Sequence, residues 1–181
     1  MFKFSAWLAG AVLAASPVMA QTVMVGGQAM YPQKNIVENA VNSADHTTLV
    51  AAVKAAGLVD ALQSKGPFTV FAPTNAAFGL LPAGTVDNLV KPENKELLTK
   101  ILTYHVVSGD YTRAKLWKLI KEGNGTAHLK TLQGEELTFK MNGPDNIVVV
   151  DAKGNSASIS TYDVHQSNGV IQVVDKVLMP S

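Results

Sequence analysis

Histidine is the side chain here best suited to catalysis or metal binding, and four are present: His46, His105, His128 and His165. A zinc site needs three or four ligands at short, defined spacings. The one neighbour at such a spacing is Asp163, two residues before His165, and a single pair assembles no cage. No metal is therefore expected. The chain has no cysteine, which removes thiolate nucleophiles, disulfides and lipid attachment through sulfur. Met24 and Met30 offer thioethers that suit copper, but two of them without a His or Cys partner are too few for a site. The sequence contains no Gly-x-Ser-x-Gly elbow, no Gly-x-Gly-x-x-Gly turn and no phosphate loop. Enzyme is the least favoured class, and no cofactor is expected. Asn124-Gly125-Thr126 fits the glycosylation acceptor pattern and reads more simply as a Gly-rich turn.

Residues 1–20 have the organisation of a secretory leader. Lys3 supplies a positive start, an apolar run follows, and Val18-Met19-Ala20 presents small residues at a cut between Ala20 and Gln21. The apolar run is too short to span a bilayer comfortably, and no later stretch is long and apolar enough, so no integral membrane segment is expected after cleavage. The short, Ala-rich leader looks bacterial and directs the protein to the periplasm, the cell surface or the exterior. Without Lys3 the basic and acidic residues are equal in number. A neutral chain lacks the basic balance expected of a nucleic-acid partner. Its length suits one domain that buries about 70% of its unfolded surface.

The chain is organised around residues 66–78. Gly66-Pro67 marks a turn, and Phe68 to Phe71 suits a buried strand. Pro73 ends that strand because it lacks an N–H for the ladder. Thr74 or Asn75 then caps a helix that begins at Ala76-Ala77-Phe78. Upstream, residues 21–34 contain Gly26-Gly27 and Tyr31-Pro32 without a periodic pattern, and are expected to form a flexible, solvated arm. Residues 35–42 and 46–56 read as short helices, the second capped by Asp45. Residues 93–102 form a helix with Leu97, Leu98, Ile101 and Leu102 on one side, leading into a small strand at Tyr104-His105-Val106-Val107. Residues 111–121 are amphipathic and carry Trp117, which with Phe71, Phe78 and Phe139 is expected in the core. From residue 126 onward, strand-like runs alternate with turn dipeptides. Helices first and antiparallel strands last make the class α+β.

Three stretches carry a resemblance. Thr69-Val-Phe-Ala-Pro-Thr-Asn-Ala-Ala-Phe78 resembles the first signature block of fasciclin-like domains, with Thr69, Phe71, Pro73, Thr74 and Phe78 in place and Asn75 where that family most often has Asp. Tyr104-His105 matches the pair which the family places after its long helix. Asn168-Gly169-Val170 through Asp175 to Leu178 resembles the C-terminal block, with Gln172 where many members have His. The similarity spans residues 35–181.

The resemblance implies a wedge of two packed β-sheets with helices gathered on one side. The first and third blocks would be central strands lying close together. It also implies a non-enzymatic secreted or surface-attached module for adhesion and protein association, with Tyr104 and His105 contributing to the interaction surface. A structural role for His105, buried between two segments, is the competing reading. Some algal members that bind carotenoids suggest a second function, the carriage of an apolar small molecule.

Overall fold

A computed structural model describes residues 22–181, so the leader and the Ala20–Gln21 junction lie outside the described residues. The chain begins with a hairpin of β1 (Val23–Val25) and β2 (Gln28–Met30). Three short helices follow, α1 (Ile36–Ala40), α2 (Thr47–Ala56) and α3 (Val59–Gln63), and lead into β3 (Phe68–Pro73). Helices α4 (Asn75–Gly79), α5 (Thr85–Leu89) and α6 (Lys95–Tyr104) precede β4 (Val106–Ser108) and α7 (Arg113–Glu122). The remainder is β5 (Thr126–Lys130), β6 (Glu136–Asn142), β7 (Asn146–Val150), β8 (Ser156–Gln166) and β9 (Gly169–Val174).

β3 and β9, the expected central strands, pair in parallel from Phe68↔Gly169 to Pro73↔Val174. Every residue after the first is buried in both, as strands covered on two faces should be. β4 flanks β3, and β8, β7, β6 and β5 continue beyond β9 as an antiparallel meander. The expected two sheets share β8, whose register slips between Ile159 and Val164 where Asp163 adopts φ 55°. Such a bulge bends a strand. The two far edges then meet through Val107↔Thr131 and a Leu132 amide donating to the Val106 carbonyl, so the strands fold over into a wedge.

Alternation along the central strands divides the core in two. Phe71 and Val174 face the inside of the wedge, with Phe139, Val149 and, from α7, Leu116 and Ile120. Val70, Ala72, Ile171 and Val173 face the layer that α1 to α6 build on the other side. Most helices are thus gathered on one side, and α7 packs separately against β5 and β6.

Three local expectations are corrected. Within the expected arm of residues 21–34, the described residues 22–34 are not solvated throughout, because Val25 and Met30 are buried in the helix-side core. Gly26 and Gly27, both at positive φ, make the two-residue turn whose handedness matches strand twist. Trp117 is 42% exposed, since Leu116 and Ile120 are the residues that α7 turns inward, and Lys121 lies over its ring at 4.1 Å. Asp45 makes no capping bond to α2. If the hairpin is seated as described, Met30→Ala should lower stability by about 2 kcal/mol, the low end for a buried methionine. Urea unfolding measures this, and an unchanged midpoint would return the segment to a solvated arm.

Candidate functional site

Tyr104 and His105 sit where α6 runs into β4, and neither reaches the surface. Tyr104 is fully buried, and its hydroxyl donates to the Glu136 carbonyl at 3.1 Å and accepts from the Ala152 amide at 2.8 Å. Burial pushes the phenol up to about 12. His105 is 2% exposed. The Leu178 amide donates to its Nε2 at 2.9 Å, and Nδ1 lies 2.8 Å from the Ile101 carbonyl. An amide N–H can only donate, so Nε2 is the acceptor and Nδ1 carries the proton. The ring is neutral, and burial pushes its pKa down to about 4 against the opposing pull of the Ile101 carbonyl and Asp151. The backbone carbonyl of His105 accepts from Phe71, which couples the end of α6 to β3. The expectation that this pair forms part of an adhesion surface is corrected: the two side chains tie a helix, the sheet and the C-terminal segment together.

The signature blocks are committed in the same way. The Thr69 hydroxyl donates to the Gly109 carbonyl at 2.7 Å and accepts from the Tyr111 amide at 2.8 Å. Phe71 stacks at a tilt on Phe139, with centroids 5.2 Å apart. Pro73 ends β3, Thr74 caps α4 by accepting from Ala77, and Phe78 joins the helix-side core. Gly169 lies against the backbone of Phe68 where no Cβ would fit, Val170 is fully buried, and Asp175 accepts from the Ser158 amide at 2.8 Å. The buried Gln172 amide accepts from Asp163 and donates to the Tyr111 carbonyl and the Asp163 carboxylate. Both of its polar ends are satisfied.

Asn75 caps a helix other than its own. Its Oδ1 accepts from the Thr48 amide at 3.0 Å and the Thr47 hydroxyl at 3.2 Å, and its Nδ2 donates to the Ala44 carbonyl at 2.9 Å. This serves the N-terminus of α2, where Asp45 does not. Removing a cap costs about 1–2 kcal/mol, the effect expected of Asn75→Ala. Asn75→Asp keeps the acceptor and adds charge at a helix N-terminus but loses the donor, so its expected change is within about 0.5 kcal/mol. Thermal unfolding of the two variants separates them, and equal losses would show that the cap is irrelevant.

Beside His105 lies a cavity of about 210 Å³ between the sheet and the helical layer. Its floor includes Val70, Ala72 and Ile171, and its roof includes Leu49 and Val53 of α2. Val25 and Met30 complete the lining from the hairpin. Ser43, His46, Lys54, Ser64, Thr103 and His105 supply the polar side chains in an otherwise apolar wall. His46 is 3% exposed, its Nδ1 shares a hydrogen with Ser43 Oγ at 2.9 Å, and its Nε2 has no hydrogen-bond partner. Burial lowers the pKa of His46, opposed by the nearby Ala72 carbonyl and by Asp45.

Of the Tyr104-His105 pair, only His105 borders this cavity; His46 and Met30, weighed from sequence as metal ligands, border it too. The hairpin residues that line it were missed, although Gly26-Gly27 between short apolar runs is a hairpin signal that could have found them. Nothing in the sequence distinguishes His46 from the other histidines. Among the described residues no three His, Asp or Glu side chains converge as metal ligands, and no helix is long and apolar enough to cross a membrane.

The profile of the Fasciclin domain matches residues 44–180. Protein sll1483 of Synechocystis is 52% identical over 145 residues, covering 80% of this chain and 73% of that protein. Immunogenic protein MPB70 of Mycobacterium bovis is 36% identical over 201 residues, covering 97% of this chain and 92% of the relative. Cell surface glycolipoprotein MPB83 of the same species is 36% identical over 160 residues, covering 86% of this chain and 64% of the relative. Among solved structures, the FAS1 domain pair of the insect cell adhesion molecule Fasciclin I superposes with a TM-score of 0.73 at 20% identity. That match covers 82% of this chain and about half of the pair, 51%, and is a likeness of fold.

Proposed function

Because the chain belongs to the fasciclin family, we propose that it is an exported, non-enzymatic module of the adhesion type that binds a protein or cell-surface partner. Family membership carries this reading. One relative is named a cell surface glycolipoprotein, and the structural neighbour comes from a cell adhesion molecule. The signature residues support it indirectly, because their polar groups hold the fold together and leave recognition to the exposed surface. The neutral balance of charge makes recognition by shape and short-range contacts the better account, so attachment should survive salt that screens long-range attraction. Beads coated with residues 21–181 should adhere to cells of the native host at both about 0.15 M and about 1 M NaCl. Beads that fail to adhere at either concentration would overturn the adhesion reading. For export, intact mass of the secreted form should begin at Gln21, and a secreted species retaining Met1 would contradict leader removal.

A second reading, carriage of an apolar small molecule such as a carotenoid, is favoured by the apolar cavity. Size restricts it. An engineered cavity of about 150 Å³ takes benzene, so the space here is several times too small for a carotenoid with its tens of carbons. Protein purified from its host tests this directly, because a bound carotenoid gives a visible absorption band.

A further inference from the structure

We propose that the cavity beneath the N-terminal hairpin is a binding site for a small, neutral, largely apolar molecule carrying one hydroxyl, of the size and class of an alkylphenol, with that hydroxyl paired to His46. The volume sets the size. A void of about 150 Å³ lined by aliphatic side chains takes benzene, so about 210 Å³ accommodates roughly eight to ten non-hydrogen atoms. The walls set the character. Val25, Met30, Leu49, Val53, Val70 and Ile171 offer nothing to a charged group, and a buried charge without a partner is strongly disfavoured. Lys54 and Ser64 are exposed and stand at the rim.

His46 sets the polar group. Its side chain is enclosed and lines the space, and Nε2 makes no hydrogen bond of sound geometry although buried ring nitrogens normally have one; the Ala72 carbonyl lies near enough to oppose the fall in the ring's pKa but is not aligned to pair with it. Ser43 holds the other nitrogen, and the hairpin holds the loop that carries both. Gly26 packs so closely on Ser43, Ala44 and Asp45 that an added Cβ would come within 2.7 Å of each. A hydroxyl donates as well as accepts, so it pairs with Nε2 in either tautomer of the ring.

The probes are p-cresol and p-xylene, which share size and shape and differ by a hydroxyl in place of a methyl. Titration of the full described chain, followed by methyl NMR, should give saturable shifts confined to lining residues such as Val53, Val70 and Ile171. p-Cresol should bind at least fivefold more tightly than p-xylene. His46→Leu should keep p-xylene binding and remove the preference, whereas His46→Gln should retain part of it. Val53→Phe, which fills the space, should abolish binding of both probes. Absence of saturable shifts with either probe would overturn the site. An undiminished p-cresol preference in His46→Leu, or in His46→Gln and His46→Leu alike, would overturn the role of His46. Should His46→Leu fail to fold, the His46→Gln ratio and the Val53→Phe result decide alone. This inference does not rest on adhesion, and refusal of both probes leaves that reading intact.

Discussion

Lowering the pH from 7 to 4 should remove about 3 kcal/mol of stability through His105 alone. The ring is held neutral in the fold with a pKa near 4, whereas an unfolded chain takes up the proton near 6.5. Between those values the unfolded state binds more protons, so stability is complete above about pH 6.5, falls as pH drops, and levels off below about 4. His46 is shifted in the same direction and adds to the loss. Protonation of His105 Nε2 would also set a proton against the Leu178 amide that now donates to it. Urea unfolding at intervals from pH 7.5 to 4 should show the midpoint falling well before ordinary carboxylates titrate. His105→Ala should cost about 1–3 kcal/mol at pH 7, by leaving the Ile101 carbonyl and Leu178 amide unpaired. That variant should then show a much flatter pH dependence. A wild-type midpoint that stays constant from pH 7 to 5 would falsify the assignment of a buried, neutral imidazole.

Asn168→Ala should be at least as damaging, at about 3–5 kcal/mol for several buried backbone groups left unpaired together. Its Oδ1 accepts from the Ile36 amide at 3.0 Å, and its Nδ2 donates to the carbonyls of Leu62 at 2.6 Å and Ser64 at 2.9 Å. One amide thereby fixes the start of α1, the end of α3 and the entry to β3. Ile36, Leu62, Ser64 and Phe68 all line the cavity, so the same variant should loosen its wall. Asn168→Asp can restore only the acceptor and sets a carboxylate against two carbonyl oxygens, so it should be no better than alanine. Denaturant unfolding measures the loss, and hydrogen exchange across residues 62–68 reports the loosening. Near-native stability in Asn168→Asp would show that the two donated bonds do not matter.

Both residues belong to stretches that stand out in the sequence, yet the sequence does not say why. Thr74 could be read as a cap because a cap is a contact over three residues, and Ala77 is the donor it requires. Asn75, adjacent to it, could not be read correctly, because its partners Thr47 and Thr48 lie on another helix. Trp117 shows the limit of residue type as a guide. The stripe Leu116 and Ile120, four residues apart, carries the burial of α7, and a large aromatic one position along points outward. Leu97 is exposed beside buried Leu98 for the same reason.

Taken alone, the sequence determined what short-range physics determines. Pro73 had to end a strand, and the nearly continuous apolar runs of β3 and β9 required cover on both faces. It also determined the α+β class, because the order of helical and alternating patterns is itself a property of the chain. Tertiary structure alone decided the partner of His105, 73 residues away at Leu178, and the partner of Asn168, 106 residues away at Leu62. It alone decided that a segment with no periodic pattern becomes the hairpin completing a cavity wall. The physical reason is common to all three. A turn or a cap is an interaction among neighbours along the chain, whereas a buried partner is set by how distant elements meet. A cavity is the space left between such elements, and no residue encodes it.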